Sequence, residues 1–500
     1  MTSENETTRF KAAAAKHELP LGALTIGDAI VLAEALAWPL SRVIVGEAVC
    51  RTGLDRETVL SRTLDAYAHN LRAAAVGAAD GSSFIMGRVG RELSAEDAPK
   101  LVDDAFVNRI LVHTLAAQVG NHEVGLTPCA GTGDACPYTG FLKALMERGA
   151  DRETLGAMAA LMAKVGSLFR VGKTTTGCNM EGFGAGGAAL AAAFTELEGG
   201  TPSQVGQAMV LALSPTIGVP CTPRVMVPGL CATHIGGAVM VARLASSLVL
   251  HTKTLPVTVP VDVMMAMAAA VHPLSAKELV PEVIRYMEPF FRTHPGVERY
   301  IPDTVKAEEK ARIDGILCQA REETRALAAK ARPITDPFGL AVVGGSSQAV
   351  GSPTNAGRIA YALGRKLGHG PARRIVIELY PELFARRGIN VPGILMAAAY
   401  GASTDDGASY RTVMDRIAAD GIAVEIRLVP DRPQLQKITR IADGGEVMVE
   451  TLNRGGARLV LLDSNVGLPA AREAAAALGI ELVDAPRPAM ARDKEPHCHA

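Results

Sequence analysis

The chain reads as a mostly α-helical N-terminal domain followed by a C-terminal α/β domain, and three observations predict this. From Leu24 to Leu115 apolar residues recur at three- and four-residue spacing, as in Ile30, Ala33, Leu36 and Ala37, which is the period of a helix with one buried face. A second helical block runs from Tyr138 to Leu250, its helices separated by Gly and Pro loops. Beyond Pro333 and Pro337 the texture changes to β-rich runs, Arg374 to Leu379, Ile422 to Leu428 and Ala457 to Leu462, alternating with helical stretches.

Taken in order, the first block is interrupted by a loop at Gly81-Ser82-Ser83. The stretch from Asp303 to Arg332 is charged and helix-favouring with little apolar periodicity, so it is expected to be a helical linker that the following prolines end. The expected organisation is therefore a helical domain over 1–302, a linker over 303–332, an α/β domain over 333–490 and a polar tail over 491–500. The tail carries His497-Cys498-His499.

Composition narrows the function. With 500 residues, of which 48% are hydrophobic, and a mean hydropathy of +0.18, the chain can bury large cores. Lys and Arg total 51 against 52 for Asp and Glu, so no net field favours nucleic acid or anionic lipid. The polar start, Met1 to Lys16, has no apolar run of signal-peptide length, and apolar stretches such as Gly182 to Leu197 read as buried helices. A cytoplasmic protein without nucleic-acid or membrane partners is expected. Aromatic residues make up only 4%, while Ala and Gly abound, which suits closely packed helices and a homo-oligomer. Eight cysteines in that compartment are expected as reduced thiols with ligand or core roles, not as a disulfide framework.

Three of those cysteines follow one another beside Gly or Pro or within two residues of one: Cys178 in Thr-Thr-Gly-Cys-Asn-Met-Glu, Cys221 in Gly-Val-Pro-Cys-Thr-Pro, and Cys231 in Pro-Gly-Leu-Cys-Ala-Thr-His. An iron-sulfur cluster needs thiolates offered from turns among small residues, because it is bulky and gains from nearby backbone N–H groups. The spacing is not that of a ferredoxin, and a bare trio of free cysteines is more often three small buried hydrophobes. Upstream, Gly125-Leu-Thr-Pro-Cys-Ala-Gly-Thr-Gly133 precedes a helical run, where backbone N–H groups can bind an anion; a plain tight turn is the competing reading. Cys129 and Cys136 read as neighbours of that loop and not as ligands.

These segments together resemble the iron-sulfur-dependent L-serine dehydratase (L-serine ammonia-lyase) family. The stretch from Gly177 to Leu250 is similar to its cluster-binding α domain in the Gly-Cys-x-x-Glu-Gly opening, the Ala-rich helix, Glu198-Gly-Gly-Thr-Pro202 and the Gly-x-x-Cys-x-Pro loop followed by a third cysteine. The Gly125–Gly133 loop resembles the family's Pro-Thr-Ala-Gly-Ser loop. Gly344-Gly-Ser-Ser-Gln-Ala-Val-Gly-Ser-Pro-Thr-Asn-Ala-Gly357 resembles the serine-rich signature of the family's β domain, which here follows the α domain. The resemblance implies a 4Fe-4S cluster held by Cys178, Cys221 and Cys231, with Cys498 as a capping ligand from the tail. It implies substrate contacts from Thr127, Cys129, Gly131, Thr132, Ser346 and Ser347.

The implied reaction is elimination of water from a small β-hydroxy acid, L-serine to pyruvate and ammonia, with an open iron acting as Lewis acid for the hydroxyl. Two departures stand out. Gln348 occupies the place of the family's histidine and cannot take a proton at neutral pH. The family's Ser-Gly-Leu-Thr-Gly-Gly-Asp stretch is represented only by Gly81-Ser-Ser-Phe-Ile-Met-Gly87. The candidate catalytic residues are therefore Gln348, His122 and His234, though a lone histidine in a helical protein is more often structural. Alternatives are a 2-(hydroxymethyl)glutarate dehydratase-type reaction, an L-cysteine desulfidase, and a non-catalytic amino-acid-binding protein.

Overall fold

The computed structural model describes residues 3–126, 135–171, 179–220, 227–292, 294–335, 341–343 and 347–485. They divide between Glu323 and Thr324 into two compact units, one helical and one α/β, as the periodicities predict. The division falls inside one long helix, α16 in the numbering below, so the expected linker is a single rod of which each unit owns a part.

The first unit begins with α1 (Ser3–Lys16), α2 (Ile26–Leu36), α3 (Leu40–Thr52), α4 (Arg56–Asp65), α5 (Ala68–Ala79), α6 (Val89–Ser94) and α7 (Ala105–Glu123). It continues with α8 (Ala135–Glu147), α9 (Arg152–Arg170), a π-helical turn (Asn179–Ala185), α10 (Gly186–Leu197), α11 (Pro202–Leu213), α12 (Leu230–His251) and α13 (Val261–Leu274). The short α14 (Val280–Met287) and α15 (Pro295–Glu298) lead into α16 (Asp303–Lys330). Helix starts follow the sequence. Thr25 and Thr201 close capping boxes with Asp28 and Gln204, and the Asp104 carboxylate accepts from the backbone N–H groups of Phe106 and Val107.

The Ala-rich helix α10 is buried on every side from Gly186 to Thr195, packed by α8, α9, α11 and α12. A helix without a polar face belongs in an interior. Its Phe194 meets Phe141 edge to face at 5.3 Å between ring centroids, and Phe106 completes the group. Leu230–His251 and Val261–Phe290 are long and apolar enough to cross a membrane by length and composition. The first packs in this bundle, against α7, α8, α10 and α11.

Two helices approach more closely than side chains allow. A Cβ added to Gly120 of α7 would lie 1.9 Å from the Ala73 carbonyl oxygen of α5, and one added to Gly77 of α5 would lie 2.0 Å from that of Ala116. Glycine is thus required on both sides of the α5–α7 crossing.

The second unit is α17 (Ser347–Lys366), β1 (Ala372–Leu379), α18 (Pro381–Ala385), α19 (Arg387–Tyr400), α20 (Gly407–Ala419), β2 (Ala423–Leu428), β3 (Leu435–Ala442), β4 (Gly445–Asn453), β5 (Leu459–Ser464) and α21 (Leu468–Ala477). The sheet order is β2-β1-β3-β4-β5, with β1 and β2 parallel and the remaining pairs antiparallel. β1, β2 and β5 coincide with the three expected runs. The β3–β4 hairpin, turning at Asp443-Gly444, was not among them, although alternating residues such as Ile438, Arg440, Val447 and Val449 are buried there.

The largest fully buried side chain among the described residues is Arg440 on β3, at 1% exposure. Its Nε donates to the Ala398 carbonyl in the last turn of α19 and its Nη2 to the Gly370 carbonyl, with the Tyr361 ring 5.6 Å away. Burial pulls the guanidinium below its ordinary pKa, but it stays charged, facing the Ala398 carbonyl at the end of α19 and the loop carbonyl of Gly370.

Two outcomes follow for stability, read by chemical denaturation. Gly120→Ala must push α5 and α7 apart and should cost roughly 2 kcal/mol or more, whereas Gly315→Ala on α16, where a Cβ meets nothing within 4 Å, should be neutral or stabilising. Arg440→Ala strands two carbonyls and opens a cavity, for a loss of about 3 kcal/mol; Arg440→Met, which keeps the volume, should lose less.

Candidate functional site

The Gly81–Gly87 segment forms a tight turn closed by two backbone hydrogen bonds between Ser83 and Gly87, 2.7 and 2.8 Å long, with Gly87 at φ +62°. It is pinned from three directions. Gly229, the N-cap of α12, donates to the Ile85 carbonyl at 2.9 Å. Ser82 N–H donates to Glu123 Oε2 at 3.0 Å. Arg292 donates to the Phe84 carbonyl at 2.7 Å and lays its guanidinium over the Phe84 ring.

Within that turn the buried Ser83 reaches α7. Its Oγ lies 2.6 Å from His122 Nδ1 and also accepts from the Met86 N–H at 3.0 Å. On the other side of the ring, Gln118 Nε2 stands 2.7 Å from His122 Nε2, and the Cys136 thiol of α8 donates to Gln118 Oε1 at 2.8 Å. The result is one polar chain, Cys136–Gln118–His122–Ser83. Gln118 and His122 share a face of α7 because they are four residues apart. Both ring nitrogens of His122 are engaged by the protein.

Cys231 begins α12 as its second residue, at 1% exposure. It is buried with Cys136, Ala73, Ala74, Ala117, Leu126, Ala135 and Ile235, and Met86 packs against the group. Small residues and a helix N-terminus, where negative charge is favoured, suit a thiolate ligand. His234 lies one turn further along α12, its ring edge-on to Phe183 at 5.2 Å. The other histidine of α7, His113, is bonded to Glu147 at 2.9 Å. Burial lowers its pKa while Glu147 opposes that shift.

The structure thus brings Cys231, Cys136, His122 and the Ser83 turn into one neighbourhood. Cys178, Cys221 and Cys498 lie outside the described residues, as do Thr127, Cys129, Gly131, Thr132 and Ser346. Just before these residues the chain is held at Gly125, whose carbonyl is bonded by His69 at 2.9 Å, and at Leu126, whose N–H donates to Asn121 Oδ1. Among the described residues no three His, Cys, Asp or Glu side chains converge as a metal site. Cys50, Cys136 and Cys231 are free of disulfides; Cys318 on α16 is disulfide-bonded, a departure from the expected reduced thiols.

In the second unit Ser347 and Gln348 open α17, their side chains lying outside the description. Below them sequence reasoning missed a buried polar layer. Gln436 on β3 donates to Ser352 Oγ and to Thr451 Oγ1, while Thr354 Oγ1 and both amide atoms of Asn390 have no hydrogen-bond partner among the described residues. Polar residues at inward-facing strand positions, Gln436 and Thr451, were the available signal.

Residues 131–279 match the family model of the serine dehydratase alpha chain, which supports a place in the serine dehydratase-like family and, at that level, a dehydratase. The match begins after Ser83 and His122 and ends before the α/β unit. No curated protein matches the chain.

Proposed function

We propose that the chain is an iron-sulfur hydro-lyase that removes water from a small β-hydroxy acid, with L-serine the favoured substrate and pyruvate and ammonia the products. The match over 131–279 carries this reading, because that span contains Cys178, Cys221 and Cys231. Cys231 supports it with a buried, disulfide-free sulfur at a helix start. The three thiolates would hold a 4Fe-4S cluster, and when bound that group supplies a Lewis acid for the departing hydroxyl.

The chain's own residues do the rest. Ala73, Ala74, Ala117 and Ile235 keep water from the sulfur side. The Gly125–Gly133 loop, anchored by His69 and Asn121, receives the carboxylate. His122 and His234, the latter one turn from Cys231 on α12, are the imidazoles assigned to the α-proton. Cys498 would cap the cluster until substrate arrives. A 2-(hydroxymethyl)glutarate dehydratase-type reaction is the second reading, favoured by Gln348 where the family has histidine. A cytoplasmic setting and a homo-oligomer complete the proposal. The exposed face of α13, Val263, Ala266, Met267, Ala270 and Leu274, is apolar throughout and supports self-association.

Anaerobic purification should give protein with iron and acid-labile sulfide, and replacing Cys178, Cys221 or Cys231 singly by Ala should remove most of both. Pyruvate with ammonia, a methylene diacid, or sulfide as product then assigns the substrate; iron-free active protein would refute the cluster. Sedimentation should show an oligomer that the double variant V263E/M267E weakens, and a monomeric wild type would refute the association.

A further inference from the structure

The polar chain from Cys136 to Ser83 has a direction, and the direction defines a binding group. Cys136 S–H donates to Gln118 Oε1, so the Gln118 amide turns its N–H₂ toward His122 Nε2, which must accept. Neutral imidazole with Nε2 accepting carries its proton on Nδ1, 2.6 Å from Ser83 Oγ. Ser83 Oγ then accepts from His122 and from the Met86 N–H, with the Ile85 N–H a longer third donor at 3.3 Å. Its own O–H is left without an acceptor among the described residues, on a side chain only 3% exposed.

A buried, unsatisfied hydroxyl is costly, and two strong donors to its oxygen polarise its proton outward. We infer that Ser83 is a hydrogen-bond donor to one oxygen of the substrate carboxylate, in addition to the N–H groups proposed from the Gly125–Gly133 segment, and that Gln118 and His122 are positioning residues that aim it. The Gly229–Ile85 hydrogen bond ties this donor to the helix of Cys231, so the carboxylate is held beside the sulfur of the proposed lyase. The inference rests on the lyase reading only for the identity of the carboxylic acid.

The test uses anaerobically purified full-length protein and glycolate, a hydroxy acid with no β-carbon to eliminate. In ¹⁵N-histidine NMR spectra the signal lost in His122→Gln should show the Nδ1–H tautomer in wild type. Gln118→Glu, which can only accept, should switch it to Nε2–H and turn the Ser83 O–H inward. Ser83→Ala and Gln118→Glu should therefore both weaken glycolate binding by roughly ten- to a hundredfold, although the second keeps the hydroxyl, and Ser83→Thr should retain most of it. An Nε2–H tautomer in wild type, or glycolate bound equally by wild type, Ser83→Ala and Gln118→Glu, would overturn the inference. Glycolate binding that depends on Ser83, in a protein that turns over neither L-serine nor the diacid nor L-cysteine, would leave the donor standing and defeat the lyase reading.

Discussion

The close crossing of α5 and α7 is the constraint on which the candidate site depends. Gly77 and Gly120 bring backbone against backbone, and the next residues of each helix then have little freedom. Immediately after Gly120 come Asn121, His122 and Glu123, which hold respectively Leu126, Ser83 and the Ser82 N–H. Immediately after α5 comes the turn that carries Ser83. A wider spacing would separate the serine from the imidazole and break the chain of hydrogen bonds that ends at Cys136. The same crossing presses Ala73 and Ala117 into the group around Cys231. Close packing through small residues, visible as composition, is therefore what sets the position of the polar groups.

The two units divide the chemistry differently. The helical unit offers sulfur, imidazole and hydroxyl groups in a surrounding of alanine and glycine, suited to a soft ligand and an anion. The α/β unit offers a neutral polar layer, Ser352, Thr354, Asn390, Gln436 and Thr451, beneath the start of α17, and a buried cation, Arg440, bonded to two carbonyls beside the Tyr361 ring. Orphaned amide and hydroxyl atoms in that layer make it a place for hydrogen bonding to a neutral group or ordered water, not for a charge.

Much of this was legible in the sequence, for physical reasons that differ by element. The helices were readable because a 3.6-residue apolar period over long stretches admits no other structure, and α10 because it has no polar face. β1 and β2 stood out as runs carrying β-branched residues, and β5 as a short apolar run. The β3–β4 hairpin was passed over because its buried positions include Gln436, Arg440 and Thr451, which disguise the alternation. Cys231 was singled out by its Gly-Pro surroundings and expected at a helix end or turn; the structure puts it in the first turn of α12, with Gly229 as the cap. Gln118 and His122 were linkable by their spacing, whereas Ser83 and Cys136 reach them from distant segments, a closeness that only the α5–α7 and α7–α8 packing creates. The division between the two units falls within α16, in the stretch read from the sequence as a helical linker.

The central claim is that Cys231 is a ligand of an iron-sulfur cluster shared with Cys178 and Cys221. Anomalous diffraction at the iron edge, from crystals grown anaerobically, tests it most directly. The account predicts a compact iron peak within bonding distance of the Cys231 sulfur and of both other sulfurs. A Cys231 side chain packed against Cys136 and Ile235 with no iron near it, and three sulfurs in separate pockets, would contradict it.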